Sequence, residues 1–200
     1  VAFDQLLVAL GRSPRTDGLG LDAAGIDLDA RRFVVVDRSL RTTNRRVYAA
    51  GDLTGHPQFT HLAGMHASVA ASNAVLGLRR RAEVDAVPRV TFTDPEVARV
   101  GLSEAEAAAQ GVSVEVTRFP LADLDRAIAD SAAHGWVKVL TVPGKDRILG
   151  VTIVGEHAGD LLAEFVLAMK HGLGLNKILG TIHTYPTLSE AGKYAAGEWK

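Results

Sequence analysis

Near the C-terminus, His183-Thr184-Tyr185-Pro186-Thr187-Leu188-Ser189-Glu190 places an imidazole, a phenol and a carboxylate within eight residues. Each can donate or accept a proton, so the segment is a candidate acid–base site. A residue before proline is biased to extended backbone. His183 and Tyr185, two apart, would then point to one face. An ordinary phenol has a pKa of about 10, so Tyr185 is a poor base near neutrality but a serviceable hydrogen-bond donor. The plainer reading makes Tyr185 an interface packing residue with a satisfied hydroxyl. For His183 the structural and chemical readings stand level.

A second candidate lies at Val47-Tyr48-Ala49-Ala50-Gly51-Asp52, an apolar run ending on glycine and carboxylate. At the end of a parallel strand, such a carboxylate can accept from a ribose or ribityl hydroxyl. Gly51 would let a ligand approach the backbone closely. Taken alone, a strand followed by an Asp-stabilised turn explains it as well.

Two halves position these groups. Residues 1–85 hold strand-like runs at Gln5–Leu10, Phe33–Val36 and Val47–Ala50, then an alanine-rich helix over Leu62–Leu78 ending near Gly77. Three strands and one helix cannot cover both faces of a parallel sheet, so this half is expected to be an incomplete α/β nucleotide-binding region. The apolar start without methionine suggests the C-terminal piece of a longer protein. Arg79-Arg80-Arg81 reads as a solvated helix end rather than a nucleic-acid patch.

Residues 86–200 follow an α+β pattern. Arg89–Thr93 and Val112–Phe119 are strand-like, and Ser103 with Glu106 forms a capping box before a short helix stopped by Gly111. Trp136–Val142 and Arg147–Val154 flank the hairpin signal Pro143-Gly144-Lys145-Asp146. Ala158–His171 carries Leu161, Leu162, Phe165, Val166 and Met169 at helical spacing. Asp160 and Glu164 fall on what is expected to be its solvated face. A last helix is expected over Thr187–Ala195.

Composition narrows the function classes. The apolar fraction is 47% and the net charge −1, with few aromatics, so nucleic-acid binding is unsupported. No apolar run reaches the roughly 18 residues of a membrane span, and no signal peptide is expected. Cysteine is absent, which excludes thiol chemistry within these residues and suits a cytoplasmic protein. The histidines show no metal-ligand spacing, so no metal site is expected.

Several ordered motifs together resemble the C-terminal part of the flavoprotein disulfide reductases, the dihydrolipoamide dehydrogenase, glutathione reductase and mercuric reductase group. Asp4 to Pro14 fits an apolar strand leading into A-x-G-R-x-P, and Thr42 to Asp52 fits T-x5-Y-A-x-G-D. Thr93 to Ala107 looks like the opening of that family's dimerisation domain. Arg147 to Gly155 and the terminal Pro-Thr-Leu-Ser-Glu continue the match.

The resemblance implies an antiparallel sheet with helices on one side, forming an isologous homodimer. It implies that Asp52, with Gly51, meets the ribityl chain of FAD. His61, Leu62 and Ala63 would open a helix whose positive end faces the flavin pyrimidine ring. It also implies an NAD(P)H donor and a small-molecule or disulfide acceptor. In thiol-reducing members a histidine directly precedes the Pro-Thr, and a glutamate five residues on orients it. Here Pro186, Thr187 and Glu190 match, Tyr185 replaces that histidine, and His183 sits two places early. Mercuric reductases share the tyrosine but add a C-terminal cysteine pair, which this chain lacks. It also lacks a G-x-G-x-x-G fingerprint and a redox cysteine pair. Alone, it is expected to bind neither nucleotide tightly and to turn nothing over. The alternative is a self-association module without chemistry.

Overall fold

A computed structural model describes residues 2–200 and divides the chain into two compact units, Val1–Val84 and Asp85–Lys200.

In the second unit, five strands form one antiparallel sheet: β1 (Arg89–Thr91), β2 (Glu96–Gly101), β3 (Glu115–Pro120), β4 (Trp136–Thr141) and β5 (Ile148–Gly155), in the order β1-β2-β5-β4-β3. The register aligns Ala98 and Val137 with Ile153, and Val100 and Val139 with Val151. Period-two alternation therefore puts these small and branched side chains on one face, where all are buried. Helices α3 (Asp125–Ala129), α4 (Ala158–Lys170), α5 (Leu175–Leu179) and α6 (Glu190–Glu198) add Ala127, Leu162, Phe165, Leu175, Ile178, Ala191 and Ala195 to the same core. The intervening strand residues Arg99 and Lys138 pair instead with Glu106 and Glu104 of α2 (Glu104–Ala109).

Local signals explain the element ends. The Ser103–Glu106 capping box forms, with both reciprocal hydrogen bonds present. The β4–β5 hairpin closes at the expected turn. The strand β2 had no expectation, because its outward Arg99 and flanking glycine dilute the apolar signal. The last helix begins at Glu190, three residues beyond the expected start, because Thr187 and Ser189 hydroxyls are engaged in the preceding turn.

In the first unit, α1 (Thr60–Leu76) forms as expected and stops at Gly77. The three expected strands do not form. Phe33–Val36 and Val47–Ala50 contribute only isolated bridges, Leu28 with Val34, Val36 with Thr42 and Arg41 with Tyr48. Gln5–Leu10 forms no ladder, and its apolar side chains are exposed. A strand is defined by hydrogen bonds to a neighbour, and no neighbour for Gln5–Leu10 exists among the described residues.

Candidate functional site

The first candidate centre is built where Val47–Ala50 runs out at Gly51. Gly51 has φ 75°, a left-handed conformation that suits glycine, and a Cβ there would lie 2.9 Å from the Ala63 Cβ. The missing side chain lets the Gly51–Thr54 single-turn helix touch the first turn of α1. Thus Gly51, Asp52, His61, Leu62 and Ala63 are brought to one place. Asp52 is exposed and Leu62 buried. The residue before α1, Phe59, offers no side-chain cap, and no acidic residue sits in the first turn. The positive end of the α1 dipole therefore meets no carboxylate of its own first turn.

Two histidines brace this turn, and sequence reasoning assigned a role to neither. Gly51 N–H donates to Nδ1 of the fully buried His66 at 3.4 Å, a long contact. Thr54 Oγ1 donates to Gly51 O at 2.8 Å and lies 3.0 Å from His56 Nδ1. The His56 and His66 rings meet edge to face at 4.9 Å. Burial, then the neighbouring His56 charge, holds the His66 pKa below its ordinary value, so the ring is neutral near pH 7. The helical register offered the only clue: His66 falls one turn before Val69 and Ala70 on the buried stripe.

The second centre is the 181–190 segment of the other unit. Tyr185, in a cis peptide bond to Pro186, is 65% exposed. Its hydroxyl donates to Asp125 Oδ2 at 2.9 Å. That bond, then the Asp125 charge, and more weakly Glu190, raises the phenol's pKa above 10. Tyr185 therefore stays protonated through neutral pH and is a donor, not a base. Glu190 is 4% exposed, and its Oε2 accepts from Thr187 N–H at 3.3 Å. Thr187 Oγ1 donates to Thr184 O at 2.7 Å, closing the loop under Tyr185.

His183 does not accompany Tyr185. Its ring, 6% exposed, places Nδ1 3.0 Å from the Thr181 carbonyl and Nε2 2.9 Å from Glu164 Oε1. A carbonyl only accepts, so Nδ1 carries the hydrogen; with the ring protonated, Nε2 also donates, to the carboxylate. The pair fastens the loop to α4. Glu164 also meets α6: a Cβ on Gly192 would lie 3.1 Å from Glu164 Oε2 and 3.4 Å from the Phe165 ring. Glu164, expected on a solvated face, is half-buried and paired with His183, while Asp160 is exposed as expected. The available signal was its place beside Leu161 and Phe165, at the edge of the apolar stripe. Asp125 gave none, being 60 residues from Tyr185. Among the described residues no cluster of His, Asp and Glu could hold a metal ion.

Comparisons with known proteins identify the family of the chain. Residues 87–196, more than half the chain, match the pyridine nucleotide-disulphide oxidoreductase dimerisation domain, and residues 1–67 match the pyridine nucleotide-disulphide oxidoreductase model. A dihydrolipoyl dehydrogenase of Chlamydia muridarum is 40% identical over 188 residues, 94% of this chain and 40% of that protein. A mercuric reductase of Streptomyces lividans is 38% identical over 196 residues, 98% of this chain and 41% of that protein. The HOCl-induced flavoprotein disulfide reductase RclA of Escherichia coli superposes with TM-score 0.90 at 29% identity, covering 98% of this chain and 46% of that one. The chain thus spans about 40% of the length of these curated relatives. With its five-stranded antiparallel sheet and its ordered terminal motif, it belongs to the pyridine nucleotide-disulphide oxidoreductases and carries their dimerisation domain.

Proposed function

We propose that the chain is the C-terminal portion of an FAD-dependent NAD(P)H:disulfide-type, or mercuric-reductase-like, oxidoreductase. It forms the homodimer and presents Tyr185 and Glu190 to the partner subunit's active site. The observation that carries this reading is the Tyr185–Glu190 loop, with an exposed phenol held as a donor above a buried carboxylate. The neighbouring Ile182 is 97% exposed, an apolar group left in water unless a second copy covers it.

The residues of the other centre fit FAD: an exposed carboxylate, a glycine turn with no room for a side chain, and a helix start with no acidic residue in its first turn. Bound there, FAD would take reducing equivalents from NAD(P)H and pass them to the acceptor. Asp52, beside Gly51, would accept from a ribityl hydroxyl. The α1 turn at His61, Leu62 and Ala63 would direct N–H groups towards the pyrimidine edge. His66 would hold Gly51 in place. At the other centre Tyr185 would donate to the acceptor, and His183 with Glu164 would keep the loop seated.

The 200 residues hold no cysteine, which favours one second reading: a self-association module that carries no electrons itself. The isolated chain is then inactive and does not retain FAD under either reading. In the longer protein, Tyr185→Phe is expected to slow turnover with the oxidising substrate while leaving flavin reduction by NAD(P)H unchanged. Equal loss in both half-reactions, measured by rapid mixing, would remove the role given to Tyr185. Sedimentation of the chain at micromolar concentration should show a dimer; a monomer alone would contradict the assembly.

A further inference from the structure

The Arg79-Arg80-Arg81 run, expected to be a solvated helix end, forms one wall of a cavity within Val1–Val84. The cavity is about 640 Å³. Its other wall is the turn carrying Asp37, Arg38, Ser39 and Arg41. Four arginines line it, Arg38, Arg41, Arg79 and Arg81, with Asp37 as the one acidic residue. In a chain of net charge −1, this is a strong local excess of positive charge.

The walls are tied together by a buried side chain. Asn73 of α1 donates from Nδ2 to Ser39 O at 3.1 Å and to Arg80 O at 2.9 Å, and its Oδ1 accepts from Arg80 N–H at 2.9 Å. Ala82 N–H donates to Arg38 O at 2.8 Å. The two backbone segments are thereby held at fixed spacing. Arg80 turns away, its guanidinium on the Ser68 and Ser72 hydroxyls, so it is not one of the four.

The positive groups are only partly offset internally, by the Asp37 charge beside Arg41. Asp37 spends its Oδ1 on Ser39 N–H at 2.7 Å, Ser39 Oγ at 2.6 Å and Arg41 N–H at 3.1 Å. Among the described residues, Arg38, Arg79 and Arg81 take part in no ion pair. Arg41 is pre-oriented: its guanidinium donates to Tyr48 Oη at 2.9 and 3.2 Å and lies 5.4 Å from that ring's centre. Guanidinium forks match phosphate oxygens two at a time, and pre-orientation lowers the entropy lost on binding.

We infer that this cavity binds a small di- or oligophosphate anion, at a place separate from the Gly51–Asp52 turn. Its size suits a small ligand. No aromatic side chain lines it and Leu78 is its one apolar residue, so it offers no stacking platform for nucleic-acid bases and no face for lipid.

The test uses the 200-residue chain and inorganic pyrophosphate, followed by calorimetry at low salt. One saturable site per chain is expected. Arg38→Ala and Arg79→Ala should each weaken it about tenfold, the loss of a charge-assisted hydrogen bond. Arg46→Ala, exposed and outside the cavity, should change nothing, and added salt should weaken binding throughout. Failure to saturate, or equal weakening by Arg46→Ala, would mean an adventitious ion only and overturn the site. So would binding of a single-stranded oligonucleotide that pyrophosphate does not displace. Because the substituted arginines are exposed, circular dichroism of each variant should be unchanged, which separates lost binding from lost fold.

Discussion

In Asp85–Lys200, Val137, Val139, Val151 and Ile153 are almost wholly buried, whereas in Val1–Val84 Leu7 is 89% and Leu10 96% exposed. Both sets are short apolar runs with the composition of strands. The first set has neighbours on both sides in the β2-β5-β4-β3 order, and helices to cover the face. The second has no ladder partner. Apolar composition nominates a strand; paired backbone and a covering layer make one. The units differ likewise in their candidate centres. The Gly51 turn is braced by histidines against one helix, while the Tyr185 loop is held through α3, α4 and α6 at once.

The largest way to sharpen that contrast is Phe165→Ala. Phe165, on α4, is buried against α6, and its loss is expected to cost about 3–5 kcal/mol. Both tryptophans, Trp136 and Trp199, lie in the second unit, so urea unfolding followed by their fluorescence reads this unit alone. A shift under 1 kcal/mol on the order of a surface change would break the picture of one tight core.

His183→Ala comes next. It leaves Glu164 without its partner and is expected to cost about 1–3 kcal/mol by the same fluorescence assay. His183→Ala with Glu164→Ala should cost less than the two single changes added, since they share one contact. Simple additivity would mean the pair is not coupled.

Acid should separate the units further. His66 is held below its ordinary 6.5, so the unfolded chain binds the proton more readily than the folded one. Its contribution to the first unit is full above about pH 6.5 and is lost as pH falls below it. In the second unit, Glu106 is held at about 2 instead of 4.5, first by Ser103 N–H, then by the Ser103 hydroxyl and Arg99. That contribution is present above pH 4.5 and lost as pH falls towards 2. Hydrogen exchange at α1 amides should therefore quicken at a higher pH than exchange at α2. The reverse order would contradict the burial of neutral His66.

The smallest effect is expected from Leu7→Ser, within about 0.5 kcal/mol, because the side chain already faces water. Circular dichroism melting of the chain measures it. A loss comparable with Phe165→Ala would show that the Gln5–Leu10 run is packed after all.

Much of the second unit was legible in advance. The Ser103–Glu106 box, the Pro143–Asp146 hairpin and the Leu161–Phe165 stripe are local signals, each satisfied within a few residues. The candidate residues at Gly51-Asp52 and Tyr185–Glu190 were equally visible, because their spacing is a chain property. What failed was long-range. Glu164 looked solvated by its charge, yet it is paired with His183, 19 residues on. Arg79–Arg81 is exposed just past the end of α1, as a solvated helix end should be, but its tie through Asn73 to Ser39, 34 residues before Asn73, left no local trace.

By itself the sequence determined the types and order of the chemical groups: a phenol before proline, a carboxylate five residues later, a glycine–aspartate turn, and no thiol. It also determined the helix caps and the hairpin, since those free energies arise between neighbours in the chain. Only the tertiary structure decided which partners those groups have. It gave Tyr185 to Asp125, His183 to Glu164 and Gly51 to His66, and it set four arginines around one cavity. Such pairings depend on which faces of the sheet and helices meet, and local periodicity carries no record of that.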